Sequence, residues 1–198
     1  MSESIDSIQN SALTGNPQAQ YELGQMYEFG RGVGQDYVVA MKWYVEASNQ
    51  NYAPAQYAIG VLHEHGRGIE ANASLAAEWY TKAADQGDTW AINNLAMLYS
   101  YGKGVEADEQ KANDLYLQAA HLGHFQAQYN LGARYASGRG FDVDLIASYF
   151  WFERSKLGAS GLNQERANKM IDTIAAHMTP EEISAAQTRV QEIFKQVD

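Results

Sequence analysis

An internal period of 36 residues constrains this chain more than any single motif does. Gly24, Gly60, Ala96 and Gly132 occupy one slot of the period, Ala19, Ala55, Ala91 and Ala127 another, and Trp43, Trp79, Leu115 and Trp151 a third, all without a gap. The pairs Gly30 and Gly32, Gly66 and Gly68, Gly102 and Gly104, and Gly138 and Gly140 keep step with them. Each pair is followed by Asp36, Asn72, Asp108 or Asp144. Four units result, at 17–52, 53–88, 89–124 and 125–159, preceded by a leading helix or arm (1–16) and followed by a C-terminal segment (160–198). A unit this short cannot bury an apolar face alone, so it must stack on its neighbours.

Each unit reads as a helical hairpin. Apolar positions in Ala19-Gln20-Tyr21-Glu22-Leu23-Gly24-Gln25-Met26-Tyr27 recur three and four residues apart, the spacing of one helix face. The glycine pair ends this first helix, and the following Asp or Asn is placed as the N-cap of the second. In the second helix Ala40, Trp43, Tyr44 and Ala47 share a face, as do Ala76, Trp79, Tyr80 and Ala83. The fourth copy departs at its end, where Leu157-Gly158 arrives one residue early and predicts a different exit turn. It also carries Phe150 where the other copies have Lys42, Glu78 and Asp114, so something is expected to cover that ring.

The tail supplies a cover. Met170, Ile171, Ile174 and Met178 share one face of a predicted helix over 162–178. Thr179-Pro180-Glu181-Glu182 is a capping box with proline at the first helical position, opening a last helix to about Lys195. Its stripe of Ile183, Ala186, Val190, Ile193 and Val197 either docks on the array or forms a dimer seam, leaving a monomer or a weak homodimer.

The second copy, with Ala55-Gln56-Tyr57, Gly60, Gly66-Arg67-Gly68-Ile69, Trp79-Tyr80-Thr81-Lys82-Ala83-Ala84 and Gly87, resembles the Sel-one-like repeat family, relatives of the tetratricopeptide repeats. The resemblance implies an all-α, right-handed α-solenoid of four helical hairpins closed by a C-terminal pair of capping helices. It also implies a scaffold or adaptor that binds other proteins. A sharper version, resting on family members that resemble such inhibitors, is an immunity protein neutralising a cognate toxin.

Composition narrows the partners. Fourteen basic residues against 24 acidic ones give a formal charge of −10, which repels a nucleic-acid backbone and suits a basic protein partner. There is no cysteine, hence no disulfide framework or thiolate site. No stretch of 18 apolar residues is long enough to span a bilayer, and Met-Ser-Glu-Ser-Ile-Asp has neither the basic start nor the apolar run of a leader. A cytoplasmic protein without membrane insertion is the expectation.

Candidate chemistry is sparse. The Gly-x-Gly pairs lack the preceding strand that a phosphate loop needs, so they are turns. The basic residue between them recurs as Arg31, Arg67, Lys103 and Arg139, expected to bond nearby carbonyls or an acidic neighbour of its own repeat. His63-Glu64-His65 has the wrong spacing for two histidines to meet one metal from a helix face. His121 and His124 are expected as solvated surface residues. Ser100 and Lys103 stand at serine-lysine hydrolase spacing, but the partner motifs are missing. No catalytic residue, metal ligand or cofactor is assigned.

In tetratricopeptide-like arrays the stripe of the first helices not used for packing forms the concave binding wall. Helical spacing runs this stripe through Glu22 and Phe29, His65, then Trp90, Asn94, Met97 and Tyr101, then Asn130, with Arg134 near it. Aromatic and methionine side chains beside amides resemble an interface anchor, and Arg134 is expected to grip a carboxylate. These nine residues are the candidate partner-binding set.

Overall fold

A computed structural model of the chain describes residues 5–194, with side chains described through Gln191. Among the described residues every regular element is a helix: α1 Ile5–Leu13, α2 Pro17–Phe29, α3 Tyr37–Ser48, α4 Ala53–His65, α5 Ala73–Ala84, α6 Thr89–Tyr101, α7 Glu109–His121, α8 Phe125–Ser137, α9 Leu145–Gly158, α10 Leu162–Ala175 and α11 Pro180–Phe194. Two compact units divide at Ala107 and Asp108. The boundary falls inside the third repeat, so α6 belongs to the first unit and α7 to the second.

The periodic residues account for the helix ends. Asp36 accepts from the amides of Val38 and Val39, Asn72 from Leu75, Asp108 from Lys111 and Asp144 from Ala147, so the acidic slot is the N-cap of every second helix. The first glycine of each pair closes the first helix in the left-handed region; Gly66 at φ 65° donates to Leu62 O. The second glycine is required by crowding. Gly104 has φ 73°, and a Cβ there would lie 2.5 Å from both the Ala73 carbonyl oxygen and the Ser74 nitrogen, so this turn is pressed against the start of α5.

In the first unit, sequential helices from α1 to α6 pack on one another. Tyr44 and Tyr80 are fully buried, and each ring lies where a side chain at Gly24 or Gly60 would collide with it. Each hydroxyl donates to a glutamate of the facing first helix, Tyr44 to Glu28 at 2.6 Å and Tyr80 to Glu64 at 2.7 Å. Burial first, then that hydrogen bond, raises the Tyr44 hydroxyl far above its ordinary range. A second polar pair recurs at the turns, where the amides of Gln50 and Gln86 donate to the buried Gln20 and Gln56 at 2.8 and 2.6 Å. α1 packs on α2. Its Ala12 is buried and Ile8 packs on Leu23 and Ala19.

Contrary to expectation, the basic slot reaches into the preceding repeat. Arg67 pairs with Glu28 at 3.3 Å and Lys103 with Glu64 at 3.4 Å. The reason is the crowding just described, which presses each turn onto the hairpin before it. The same glutamate therefore takes the tyrosine of its own hairpin and the cation of the next. Arg31 instead lies over the Phe29 ring, 4.9 Å from its centre.

In the second unit α8 packs on α7 and α9, and both α10 and α11 pack on α9. Phe152 fills the slot of Tyr44 and Tyr80, with Tyr129 edge-on to it at 5.2 Å. Ile171 and Ile174 of α10, Ala186 of α11, and Met170, Met178 and Ile183 join this cluster, so the tail is the expected cap. Phe150 is buried, with the Arg189 guanidinium of α11 5.0 Å from its ring centre. The capping box is formed: Thr179 N–H donates to Glu182 Oε2 at 2.8 Å, and Glu182 N–H to Thr179 Oγ1 at 3.2 Å. α10 stops at Ala175 rather than Met178, and α9 leaves through an extended Ala159 where the other second helices do not. The α11 stripe is turned onto its own chain through Ile183 and Ala186, which occupies that part of the proposed dimer seam. The side chain of Ile193 and all of Val197 lie outside the described residues.

Candidate functional site

The longest exposed apolar stripe of the first unit runs along α6. Asp88 caps this helix by accepting from the Ala91 amide at 2.9 Å, and burial raises its carboxyl above the usual range. Ala91, Ile92, Leu95, Ala96 and Leu98 turn inward and are buried. The remaining face carries Trp90, 48% exposed, Met97, 38%, and Tyr101, 67%, spread over twelve residues or roughly 16 Å of helix. Large apolar groups in such number on one helix face mark an interaction surface more often than chance scatter does.

Asn94 stands among them, half-buried, and the fold fixes its amide. Its Nδ2 donates to the Tyr80 hydroxyl at 3.2 Å and its Oδ1 accepts from Asn93 at 3.3 Å. Through Tyr80 it is tied to Glu64 and from there to Lys103. The apolar stripe therefore surrounds a preoriented amide.

On α2, Glu22 is half-buried and accepts from Gln18 at 3.0 Å, while Phe29 is exposed beneath Arg31. His65 is exposed at the end of α4. Asn130, on α8 of the second unit, is half-buried.

Arg134 requires a correction. It is buried, its Nε donates to Asn113 Oδ1, its Nη2 meets Glu109 Oε2, and its guanidinium lies 5.3 Å from the Tyr116 ring centre. The Arg134 slot is filled by Met26, Leu62 and Leu98 in the other copies, and that slot faces the core. Asn113, fully buried, also donates to Gly140 O at 2.8 Å, and Arg139 Nε reaches Glu109 Oε1 at 2.8 Å. Burial opposes ionisation of Glu109, but Arg134 and Arg139 together hold its carboxyl below the ordinary range. The Arg134 guanidinium is therefore spent inside the fold, while Glu109 and Arg139 stand at the partly exposed edge of the cluster.

The histidines divide. His121 is exposed and edge-on to Trp151, whereas His124 is buried, against expectation. It occupies the cap slot of Asn16 and Asp88, and its Nδ1 accepts from the Ala127 amide at 3.2 Å. Burial pushes its pKa down to about 4. His63 is half-buried on α4, and burial lowers its pKa as well. Among the described residues no three metal-ligating side chains converge.

The serine-lysine pair does not assemble into a nucleophile and base. Ser100 is buried, and Lys103 directs its ammonium at Glu64.

A family model, the Sel1 repeat, matches residues 17–52, 53–88, 91–124 and 125–157. The chain belongs to the Sel1 repeat family. Its fold class is accordingly the all-helical solenoid of stacked hairpins. One solved structure, c5321, a protective antigen of uropathogenic Escherichia coli strains with this fold, is 31% identical over 93% of the present chain, with a TM-score of 0.75. A Sel1 repeat protein from Oxalobacter formigenes is 32% identical over 82% of the chain, with a TM-score of 0.70. The chain spans 40% and 48% of those two chains. No curated protein sequence matches it. Sel1 repeat proteins generally serve as protein-interaction modules rather than catalysts. No helix among the described residues is long and apolar enough to cross a membrane.

Proposed function

We propose that this Sel1 repeat protein is a non-enzymatic binding module whose α6 face grips a peptide or protein partner. The observation carrying the reading is the exposure of Trp90, Met97 and Tyr101 around an amide that the fold already holds. Aromatic side chains contribute most of the energy at protein interfaces, and methionine adapts to irregular partner surfaces. A preformed wall avoids the cost of ordering the scaffold on binding. Asn94 orients the partner, and Glu22, Phe29 and His65 of the same unit extend the first-helix stripe. Arg134 takes no part. The formal charge of −10 favours a basic partner and speeds its approach.

Photo-cross-linking tests the placement. Tyr101→p-benzoylphenylalanine is expected to yield one discrete adduct in the native cell extract, and the same substitution at the exposed Leu13 of α1 to yield none. The same adduct from both positions, or an adduct from Leu13 alone, contradicts the reading.

A further inference from the structure

A second site lies in the other unit. Phe125, Gln126 and Tyr129 of α8, Ser155 of α9, Ala159 in the extended exit, and Asn163 and Arg166 of α10 line a pocket of about 180 Å³. The pocket exists because the fourth repeat ends differently. Ala159 leaves α9 extended, and α10 starts beside α8 instead of another first helix.

Its polar groups are left over by the fold. The side chains of Gln126, Asn163 and Arg166 and the hydroxyl of Tyr129 have no hydrogen-bond or ion-pair partner among the described residues. Ser155 donates to Phe152 O at 2.8 Å and keeps its acceptor capacity. The Phe125 and Tyr129 rings and the Ala159 methyl group supply the apolar lining. One guanidinium matches one planar monoanion, which it can hold through two parallel N–H donors. The volume is slightly larger than a cavity of about 150 Å³ that accepts benzene, so it suits one aromatic or branched side chain.

We infer that this pocket binds the free carboxylate and terminal side chain of a polypeptide, with Arg166 gripping the carboxylate, Gln126 and Asn163 flanking it, and Phe125 and Tyr129 holding the side chain. A polypeptide is preferred to a free acid because of the surroundings. Leu122 and Leu162 are strongly exposed and lie three and one residues along the chain from the lining Phe125 and Asn163, giving apolar surface for the residues before the terminus. The site is independent of the α6 face, and either can fail without the other.

The test titrates the isotope-labelled full chain, observed by NMR, with acetylated Gly-Gly-Phe and Gly-Gly-Leu, with their C-terminal amides, and with N-acetylphenylalanine. A free acid is expected to shift the backbone signals of Phe125, Tyr129, Asn163 and Arg166 saturably and to bind at least about tenfold tighter than its amide. Arg166→Gln, a surface substitution, is expected to erase that preference. Equal binding of acid and amide, shifts confined to other residues, no saturable shift with any probe, or a preference that survives Arg166→Gln would overturn the inference. N-acetylphenylalanine binding as tightly as the tripeptide keeps the carboxylate pocket but overturns its assignment to a polypeptide terminus.

Discussion

Replacing Gly104 by alanine is expected to lower the unfolding free energy by about 3 kcal/mol, from a left-handed backbone that alanine adopts poorly and a collision with neighbouring backbone. The colliding atoms are the Ala73 carbonyl and the Ser74 nitrogen, and neither is a side-chain tip that can swing aside. Ser74 also donates to Gly104 O at 2.8 Å, so moving the turn away loses a bond as well. Gly87 supplies the control. It too has a positive φ, 85°, but a Cβ there meets nothing within 4 Å, so Gly87→Ala should cost only the backbone preference, about 1 kcal/mol. Urea unfolding of both variants measures the difference. Equal losses would mean that the contact between the turn and α5 contributes nothing.

Acid should weaken the second unit through His124. The group is held near a pKa of about 4 in the folded chain, against about 6.5 when unfolded, so between those values the unfolded chain binds more protons. Stability is therefore intact above the unfolded value and is lost as pH falls from about 6.5 towards 4. From pH 7 to pH 5 the loss is about 2 kcal/mol. Three contacts oppose protonation: burial, the Ala127 amide that Nδ1 accepts, and the positive end of α8. His124→Asn keeps an acceptor at the cap, as Asn16 does for α2, and should flatten the slope by that amount. Asp88, whose pKa is raised by burial, acts in the opposite sense and is unchanged in the comparison. A variant as acid-sensitive as the wild type would remove His124 from the account.

Much of this architecture is written in the repeat itself. Caps, turns and hairpins follow from slots with one local meaning, as when Asp36 and Asn72 each accept from the helix they start. The capping tail was legible from Phe150 standing where its counterparts are charged. Cross-repeat pairing was not, because a separation of 39 positions between Glu28 and Arg67 carries no local signal and the partner depends on how one hairpin presses on the next. Arg134 and His124 were misplaced by reading them alone. Set beside Met26, Leu62 and Leu98, the first stands in a core slot, and beside Asn16 and Asp88 the second stands in a cap slot. The α8–α10 pocket was hidden because it depends on the path of an extended residue, Ala159, that no periodicity describes.

The binding role of α6 is tested most directly by affinity capture from the native cell extract. The wild-type chain is compared with a variant carrying Trp90→Ala, Met97→Ala and Tyr101→Ala whose helicity is verified by circular dichroism. The account predicts one specific partner on the wild type, retained at least about tenfold less by the folded variant, as expected when anchor side chains are removed. Equal retention of that partner by both chains would contradict it.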